Sequence, residues 1–273
     1  MHTQPSLNPS DPRDALQTAI LETFHNHYQS QPDVPLLYTL DTPTGTGKSA
    51  IFIRMVHEFF AAPTTSPRRL PIFVSLNYKL LAEQESRLRS ANIDSYLIRS
   101  VTELNKQTAW PQKHAAIRAL NQLYKDHQFD GFSDYLRPLL KQEFVPEGAW
   151  SDQNPTAIAG PLRQAIEKLL QHLSSQHTPD SWRALLTSRT WYTLLRYWAP
   201  LHLLAIAPAP VLITGNSLSK SHRIVLPQSS SWRLNTFSDF AERMQEWNGL
   251  HGQAIADCIL VMDEADALYK PCL

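Results

Sequence analysis

One loop in the chain has the residue types that bind phosphate. It follows the apolar run 36–41 and reads Thr42-Pro43-Thr44-Gly45-Thr46-Gly47-Lys48-Ser49. The two glycines permit backbone dihedrals that bring N–H groups close to an anion. A helical pattern follows at 50–60, and the N-terminus of such a helix attracts negative charge. The sequence therefore predicts a strand, a phosphate-binding loop and a helix that starts near Lys48.

The side chains of this loop suit a nucleotide with its metal ion. Lys48 can reach the outer phosphates, and the hydroxyl of Ser49 can ligate Mg²⁺. We expect the cofactor-binding residues to be Thr44, Gly45, Thr46, Gly47, Lys48 and Ser49, with a nucleotide and Mg²⁺ as ligands. Thr42 departs from the general pattern G-x-x-x-x-G-K-[ST], which begins with Gly. A chance Gly-Lys-Ser turn is the alternative.

A second group of chemically capable residues lies near the end of the chain. The apolar segment 258–262 predicts a strand that leads into Asp263-Glu264-Ala265-Asp266. Asp263 can hold Mg²⁺, and Glu264 can orient and deprotonate an attacking water. The alternative is a pair of solvated turn residues, but the phosphate loop earlier in the chain favours hydrolysis of a nucleoside triphosphate.

The elements that must position these residues alternate between strand and helix. Further strands are predicted at 71–76, 96–98 and 210–214, which indicates an α/β fold with a parallel sheet. Ligands of such sheets bind at the carboxyl ends of the strands. Ser75, Asn77 and Lys79 lie at one such end, where they hold a nucleic-acid backbone or merely start a helix.

The remaining elements are assigned from pattern alone. Asp11-Pro12 predicts the start of a helix that runs to about residue 27. On that helix, Gln17 either reads adenine or is an exposed glutamine. Residues 223–237 predict a hairpin and 238–248 a helix. Cys258 is expected in the core of the last strand.

The stretch 102–208 differs from the rest because helical segments broken by prolines dominate it. We therefore divide the chain into 1–101, the insertion 102–208, and 209–273. Near the end of the insertion, arginines alternate with aromatic residues, so Arg189 and Arg196 are candidates for clamping single-stranded bases. For four neighbours we favour the core stripe of an amphipathic helix: Trp191, Leu194, Leu195 and Trp198.

Composition excludes several classes of protein. The formal net charge is zero, so a nucleic-acid surface must be a local patch. Two cysteines exclude a disulfide scaffold. No apolar stretch reaches membrane-spanning length and no signal peptide is visible, so we expect a cytoplasmic protein with no membrane partner. A metal site is disfavoured for His25, His27, His172 and His177, which have no cysteine or carboxylate cluster nearby.

Together the two motifs resemble those of superfamily 2 helicases, whose first motif commonly lacks the leading Gly and one form of whose second motif is Asp-Glu-Ala-Asp. Segment 72–84 is similar to motif Ia of the DinG/XPD family, and 211–218 to the strand and Asn-containing turn before motif II. The resemblance implies a RecA-like lobe with an inserted, mainly helical subdomain. It also implies 5′-to-3′ movement on single-stranded nucleic acid, with DNA favoured and Asn216 among the contacts.

Two features depart from the DinG/XPD pattern. The insertion has no cysteine, so no iron–sulfur cluster is expected where that family has one. Asp266 stands where the family usually has His. Both features are similar to the CasDinG branch, which implies a CRISPR ribonucleoprotein as partner.

These helicases bind ATP between two lobes, and only one lobe is recognisable here. We expect an N-terminal part that binds nucleotide weakly and hydrolyses it poorly, since a missing arginine finger costs about 10³–10⁵ in rate. The alternatives are a CRISPR nuclease–helicase, an RNA helicase, or a docking module switched by nucleotide and recruited to a ribonucleoprotein.

Overall fold

The computed structural model describes residues 12–30, 48–61, 68–105, 110–129, 137, 159–204, 206–218, 222–227, 232–234 and 255–262. The chain divides into two compact units, Met1–Ser66 and Pro67–Leu273. The predicted strand at 36–41 and the predicted helix at 238–248 lie outside the described residues.

The first unit contains two described helices that contact each other, α1 (Pro12–Ser30) and α2 (Lys48–Val56). A π-helical turn, His57–Ala61, continues α2. Helix α1 begins at Pro12, as the sequence predicts, because proline lacks only an N–H that the first turn leaves unbonded. Helix α2 buries Ile51, Phe52, Met55 and Val56, which recur at helical spacing.

The described part of the second unit contains six strands in two sheets. They are β1 (Arg68–Ser75), β2 (Tyr96–Leu97), β3 (Val211–Thr214), β4 (His222–Ile224), β5 (Trp232–Leu234) and β6 (Ile255–Met262). Four form one all-parallel sheet in the order β2-β3-β1-β6. The predicted α/β class with a parallel sheet is therefore confirmed. Strands β4 and β5 form the predicted hairpin, in which His222 pairs with Leu234.

Strand β1 is the centre of this sheet and pairs with β3 on one side and β6 on the other. Its residues from Leu70 to Ser75 are all buried, as expected for a parallel strand covered on both faces. Pairing with β3 starts at Ile72, one residue after Pro71, which has no N–H to donate to a ladder.

Strand β6 is more exposed than the sequence predicts. Cys258 is half-buried rather than a core residue, and Leu260 is 42% exposed. Ile259, on the opposite face of the strand, is only 2% exposed. The prediction of a core cysteine was wrong because Cys258 lies on the same face of β6 as the exposed Leu260.

Helix α3 (Tyr78–Ser90) connects β1 to β2. It buries Leu81, Gln84 and Leu88 at helical spacing, which fixes one face toward the core. The helix ends in a left-handed residue, Asn92 with φ of 58°, and the Ile93 N–H donates to the Leu88 carbonyl at 2.9 Å. Asparagine is well suited to that cap because it tolerates positive φ.

The described part of the stretch 102–208 is helical, as predicted. The helices are α4 (Val101–Leu104), α5 (Trp110–Asp126), α6 (Ala159–Ser174), α7 (Pro179–Thr187), α8 (Arg189–Trp198) and α9 (Leu201–Leu204). A single helical turn, α10 (Gly215–Leu218), follows β3.

Helix α8 confirms the predicted core stripe. Its four apolar residues at helical spacing are at most 3% exposed: Trp191, Leu194, Leu195 and Trp198. Arg163 of α6 attaches the end of this helix to the loop after β2. Its Nε donates to the Trp198 carbonyl at 2.8 Å and its Nη2 to the Arg99 carbonyl at 2.6 Å.

Candidate functional site

Of the predicted phosphate loop and the helix after it, the structure describes the helix. Helix α2 begins at Lys48 and has no acidic residue in its first turn. The start at Lys48 is the position that the sequence predicts, and a helix N-terminus directs its unbonded N–H groups toward the preceding loop. Thr44, Gly45, Thr46 and Gly47 lie outside the described residues, as do the side chains of Lys48 and Ser49.

Gln17 is not the exposed helix glutamine that was one of its two interpretations, because only 6% of it is exposed. Its Oε1 accepts a hydrogen bond of 3.0 Å from Nη1 of Arg54, which joins α1 to α2. An adenine contact through that oxygen would compete with Arg54. The amide group is thus positioned by a partner 37 residues away in sequence.

The second motif follows the end of β6. Met262 pairs with Val74 of β1, so the last residue of β6 lies at the carboxyl edge of the sheet, one residue before Asp263 in the sequence. This is the edge at which ligands bind in parallel α/β sheets. Asp263, Glu264 and Asp266 themselves lie outside the described residues.

Three candidate nucleic-acid residues lie where β1 ends and α3 begins. Ser75 is buried, and its Oγ accepts from the Asn77 N–H at 3.2 Å. Asn77 caps α3, since its Oδ1 accepts from the Lys79 N–H at 2.8 Å. Asn77 therefore does start a helix, as one interpretation holds. Asn77 and Lys79 are exposed and line a depression of about 250 Å³, whereas Ser75 faces inward.

Asn216 belongs to the same edge of the sheet. It is exposed in α10, directly after β3, which pairs with β1. The turn is held by Thr214, whose Oγ1 donates to Ser217 Oγ at 3.0 Å and accepts from the Ser217 N–H at 3.3 Å. The fold thus brings Asn77, Lys79 and Asn216 to the carboxyl ends of adjacent strands.

Arg189 and Arg196 lie elsewhere, in a groove of about 730 Å³ lined by residues of α3, α5, α8 and the loop after β2. We call it the α3–α5–α8 groove. Two further arginines line it, Arg89 and Arg99, and the sequence pattern indicated neither. They are distant from α8 in sequence and have no aromatic pattern around them, so only the packing of the helices reveals them.

The arginines of the groove differ in how they are paired. Arg196 forms an ion pair with Asp94, which also accepts a hydrogen bond from the Tyr192 hydroxyl. Burial, reinforced by that hydrogen bond, raises the pKa of Tyr192. Arg189 is exposed and has no polar partner among the described residues.

The other two arginines share one acid. Glu85 lies 3.5 Å from Arg99 and 3.7 Å from Arg89, measured between the closest nitrogen and oxygen atoms. The Arg99 guanidinium also stands over the Tyr197 ring, 4.4 Å from its centroid. Burial raises the pKa of Tyr197. Glu85 is the one acidic residue among those described as lining the groove.

One buried titratable group lies outside the groove, at the start of α9. His202 is 2% exposed, and its Nε2 has no hydrogen-bond partner among the described residues. Burial is the main cause that lowers its pKa from 6.5 to about 4, and the charge of Arg163 lowers it further. The Ala199 carbonyl near Nδ1 opposes that shift.

We expect His202 to make the fold sensitive to acid. Because its folded-state pKa is depressed, the unfolded chain binds more protons between pH 6.5 and 4, and stability falls as the pH drops through that range. The loss through this one group between pH 7.5 and 5 is about 2 kcal/mol. Urea titrations at the two pH values measure it. His202→Gln should remove most of the difference and His25→Gln, at an exposed position of α1, should not; an unchanged difference in His202→Gln contradicts the assignment.

Among the described residues, no three histidine, cysteine, aspartate or glutamate side chains are grouped so as to hold a metal ion. The ring of His172 lies against Phe129, with 4.8 Å between centroids, and His177 contacts Ser181 Oγ at 3.2 Å. Both histidines thus have contacts that do not involve a metal.

Comparisons with known proteins give no relative for this chain: no protein-family model, curated protein or solved structure matches it. Within the described ranges, no helix has both the length and the apolar character needed to cross a membrane.

Proposed function

We propose that this chain is a nucleotide-binding and ATP-hydrolysing lobe of a DNA helicase that resembles the DinG/XPD family. Its ligands are ATP and Mg²⁺, and its substrate is a single strand. The observation that supports the proposal most directly is the start of α2 at Lys48, immediately after a loop of phosphate-binding composition. A second support is the parallel strand β6, which ends one residue before Asp263.

The proposal assigns a separate task to each residue. Lys48 neutralises the outer phosphates, while Ser49 and Asp263 hold Mg²⁺, and Glu264 orients the attacking water. Phosphoryl transfer depends on positioning and on charge rather than on covalent chemistry, so a few well-placed groups are enough. The exposed Asn77, Lys79 and Asn216 suit contacts with a phosphate backbone at the carboxyl edge of the sheet.

Nucleotide binding by the 273-residue chain tests the proposal. We expect Lys48→Ala to weaken binding of a fluorescent ATP analogue with Mg²⁺ by about 10–100-fold, the equivalent of losing one charged hydrogen bond. Lys125→Ala is the matched control, an exposed lysine in the last turn of α5. Equal affinity of the wild type and Lys48→Ala would overturn the assignment of the loop.

Measuring ATP hydrolysis distinguishes a helicase from a docking module that is switched by nucleotide binding. Glu264→Gln should retain ATP binding and lose turnover, because the water-orienting carboxylate is gone while the phosphate contacts remain. Because one lobe alone is expected to hydrolyse ATP poorly, turnover is measured in the full-length protein, where adding single-stranded DNA should raise the ATPase rate of the wild type. Binding without any stimulation by DNA would instead favour the docking module.

A further inference from the structure

We propose that the α3–α5–α8 groove binds single-stranded nucleic acid, with its arginines on phosphates and its apolar wall against bases. This inference extends the proposed function by giving the strand a place, distinct from the carboxyl edge of the sheet. It rests on the lining of the groove rather than on the nucleotide motifs. A volume of about 730 Å³ is within the range of sites that enclose small organic groups.

The charge of the groove favours an anion. Four arginines line it against one glutamate: Arg89, Arg99, Arg189 and Arg196. Counting Asp94, the partner of Arg196, and Glu103, whose charge acts on Tyr197, four positive and three negative charges leave a local excess of one in a chain whose formal net charge is zero. Such an excess in a neutral protein attracts polyanions locally rather than through the overall field.

The uncharged lining favours bases over a simple anion. The α5 side presents the methyl groups of Ala115 and Ala119, which let a planar group approach the helix closely. The α8 side presents the half-buried rings of Tyr192 and Tyr197. Aromatic and guanidinium planes stack on bases without regard to sequence, at about 1–3 kcal/mol per base.

The positions of the arginines suit more than one phosphate. Arg189 and Arg196 are seven residues apart on α8, which corresponds to about 10 Å along the helix. Arg189, which has no polar partner among the described residues, is free to contact a phosphate without breaking an ion pair. Arg99 is held in place by Glu85 and Tyr197, so its plane is already oriented before a strand arrives.

The test is binding of a fluorescent twelve-nucleotide thymidine oligonucleotide to the 273-residue chain, without ATP, at several salt concentrations. Each phosphate contact contributes about −0.7 to the slope of log K against log salt for a single strand. Arg189→Ala should therefore make the slope less negative by about 0.7 and weaken binding about fivefold at 0.1 M salt, with little effect at 1 M. Arg89→Ala with Arg189→Ala should double the change in slope.

Matched control variants distinguish the effect of charge in the groove from the effect of charge elsewhere on the surface. Arg87 and Arg118 are exposed arginines of α3 and α5 that do not line the groove, so Arg87→Ala and Arg118→Ala should leave the slope unchanged. Ala115→Glu places an acid at an exposed position of the lining and should weaken binding, whereas Ala82→Glu on the outer face of α3 should not. Equal losses in the groove variants and the controls overturn the proposal.

Two further measurements test whether the ligand is a strand rather than a free nucleotide, and whether its binding is independent of the proposed ATP site. Thymidine monophosphate should displace the oligonucleotide only at far higher concentration; equal competition would mean a site for free nucleotides and would overturn the strand assignment. Lys48→Ala should bind the oligonucleotide as the wild type does. If the groove variants bind normally while Lys48→Ala loses ATP, the groove proposal fails and the proposed function stands.

Discussion

Replacing Arg163 with methionine is expected to lower the free energy of unfolding by about 3 kcal/mol. The guanidinium donates to the carbonyls of Arg99 and Trp198, and burial lowers its pKa, so the folded state keeps a charge partly out of water in return for these bonds. Methionine matches the apolar stem of arginine up to Nε but leaves both carbonyls without this donor. Urea unfolding, followed by tryptophan fluorescence, measures the loss.

The same substitution should also change the groove, because Arg99 and Trp198 both line it. Arg163 is therefore a positioning residue for the proposed strand site, and Arg163→Met should weaken oligonucleotide binding under conditions where the variant is still folded. Gln164→Met, at the exposed neighbouring position, is the control for helix α6. Arg163→Lys should recover part of the stability, since an ammonium can reach one carbonyl. A variant as stable as the wild type would show that the two bonds contribute little.

Replacing Trp191 with alanine is expected to lower the free energy of unfolding by about 3–5 kcal/mol, the usual range for removing a buried aromatic side chain. Trp191 is 1% exposed on the inner face of α8, so its loss leaves a cavity beneath the helix. Thr193→Ala, at an exposed position of the same helix, should change stability by less than about 0.5 kcal/mol.

This substitution also distinguishes the two interpretations of the aromatic segment. If Trp191 belongs to the core, Trp191→Phe should recover much of the stability. Oligonucleotide binding by the variants should then decrease only in proportion to the fraction of protein that is unfolded. A Trp191→Ala variant that remains as stable as the wild type but binds the oligonucleotide less tightly would make it a stacking residue instead. The burial of the residue favours the first result.

The local elements of the fold could be predicted because each is specified by residues that are close together in the sequence. A period near 3.6 marks the buried stripe of α8, and unbroken apolar runs mark β1, β3 and β6. The start of α2 at Lys48 follows from the loop before it. The exposed face of β6 could not be predicted in this way, because an unbroken apolar run does not distinguish the two faces of a strand, and Cys258 was misplaced as a result.

By itself, then, the sequence determined the parallel α/β class with the four described strands of its sheet, the starts of α1 and α2, and the two motifs that support the proposed nucleotide chemistry. The tertiary structure decided which distant side chains meet. It joined Gln17 to Arg54, and Arg196 to Asp94, and it collected Arg89 and Arg99 beside α8. The physical reason is that periodicity fixes which face of an element is buried, whereas a contact between remote charges exists only once those faces have packed.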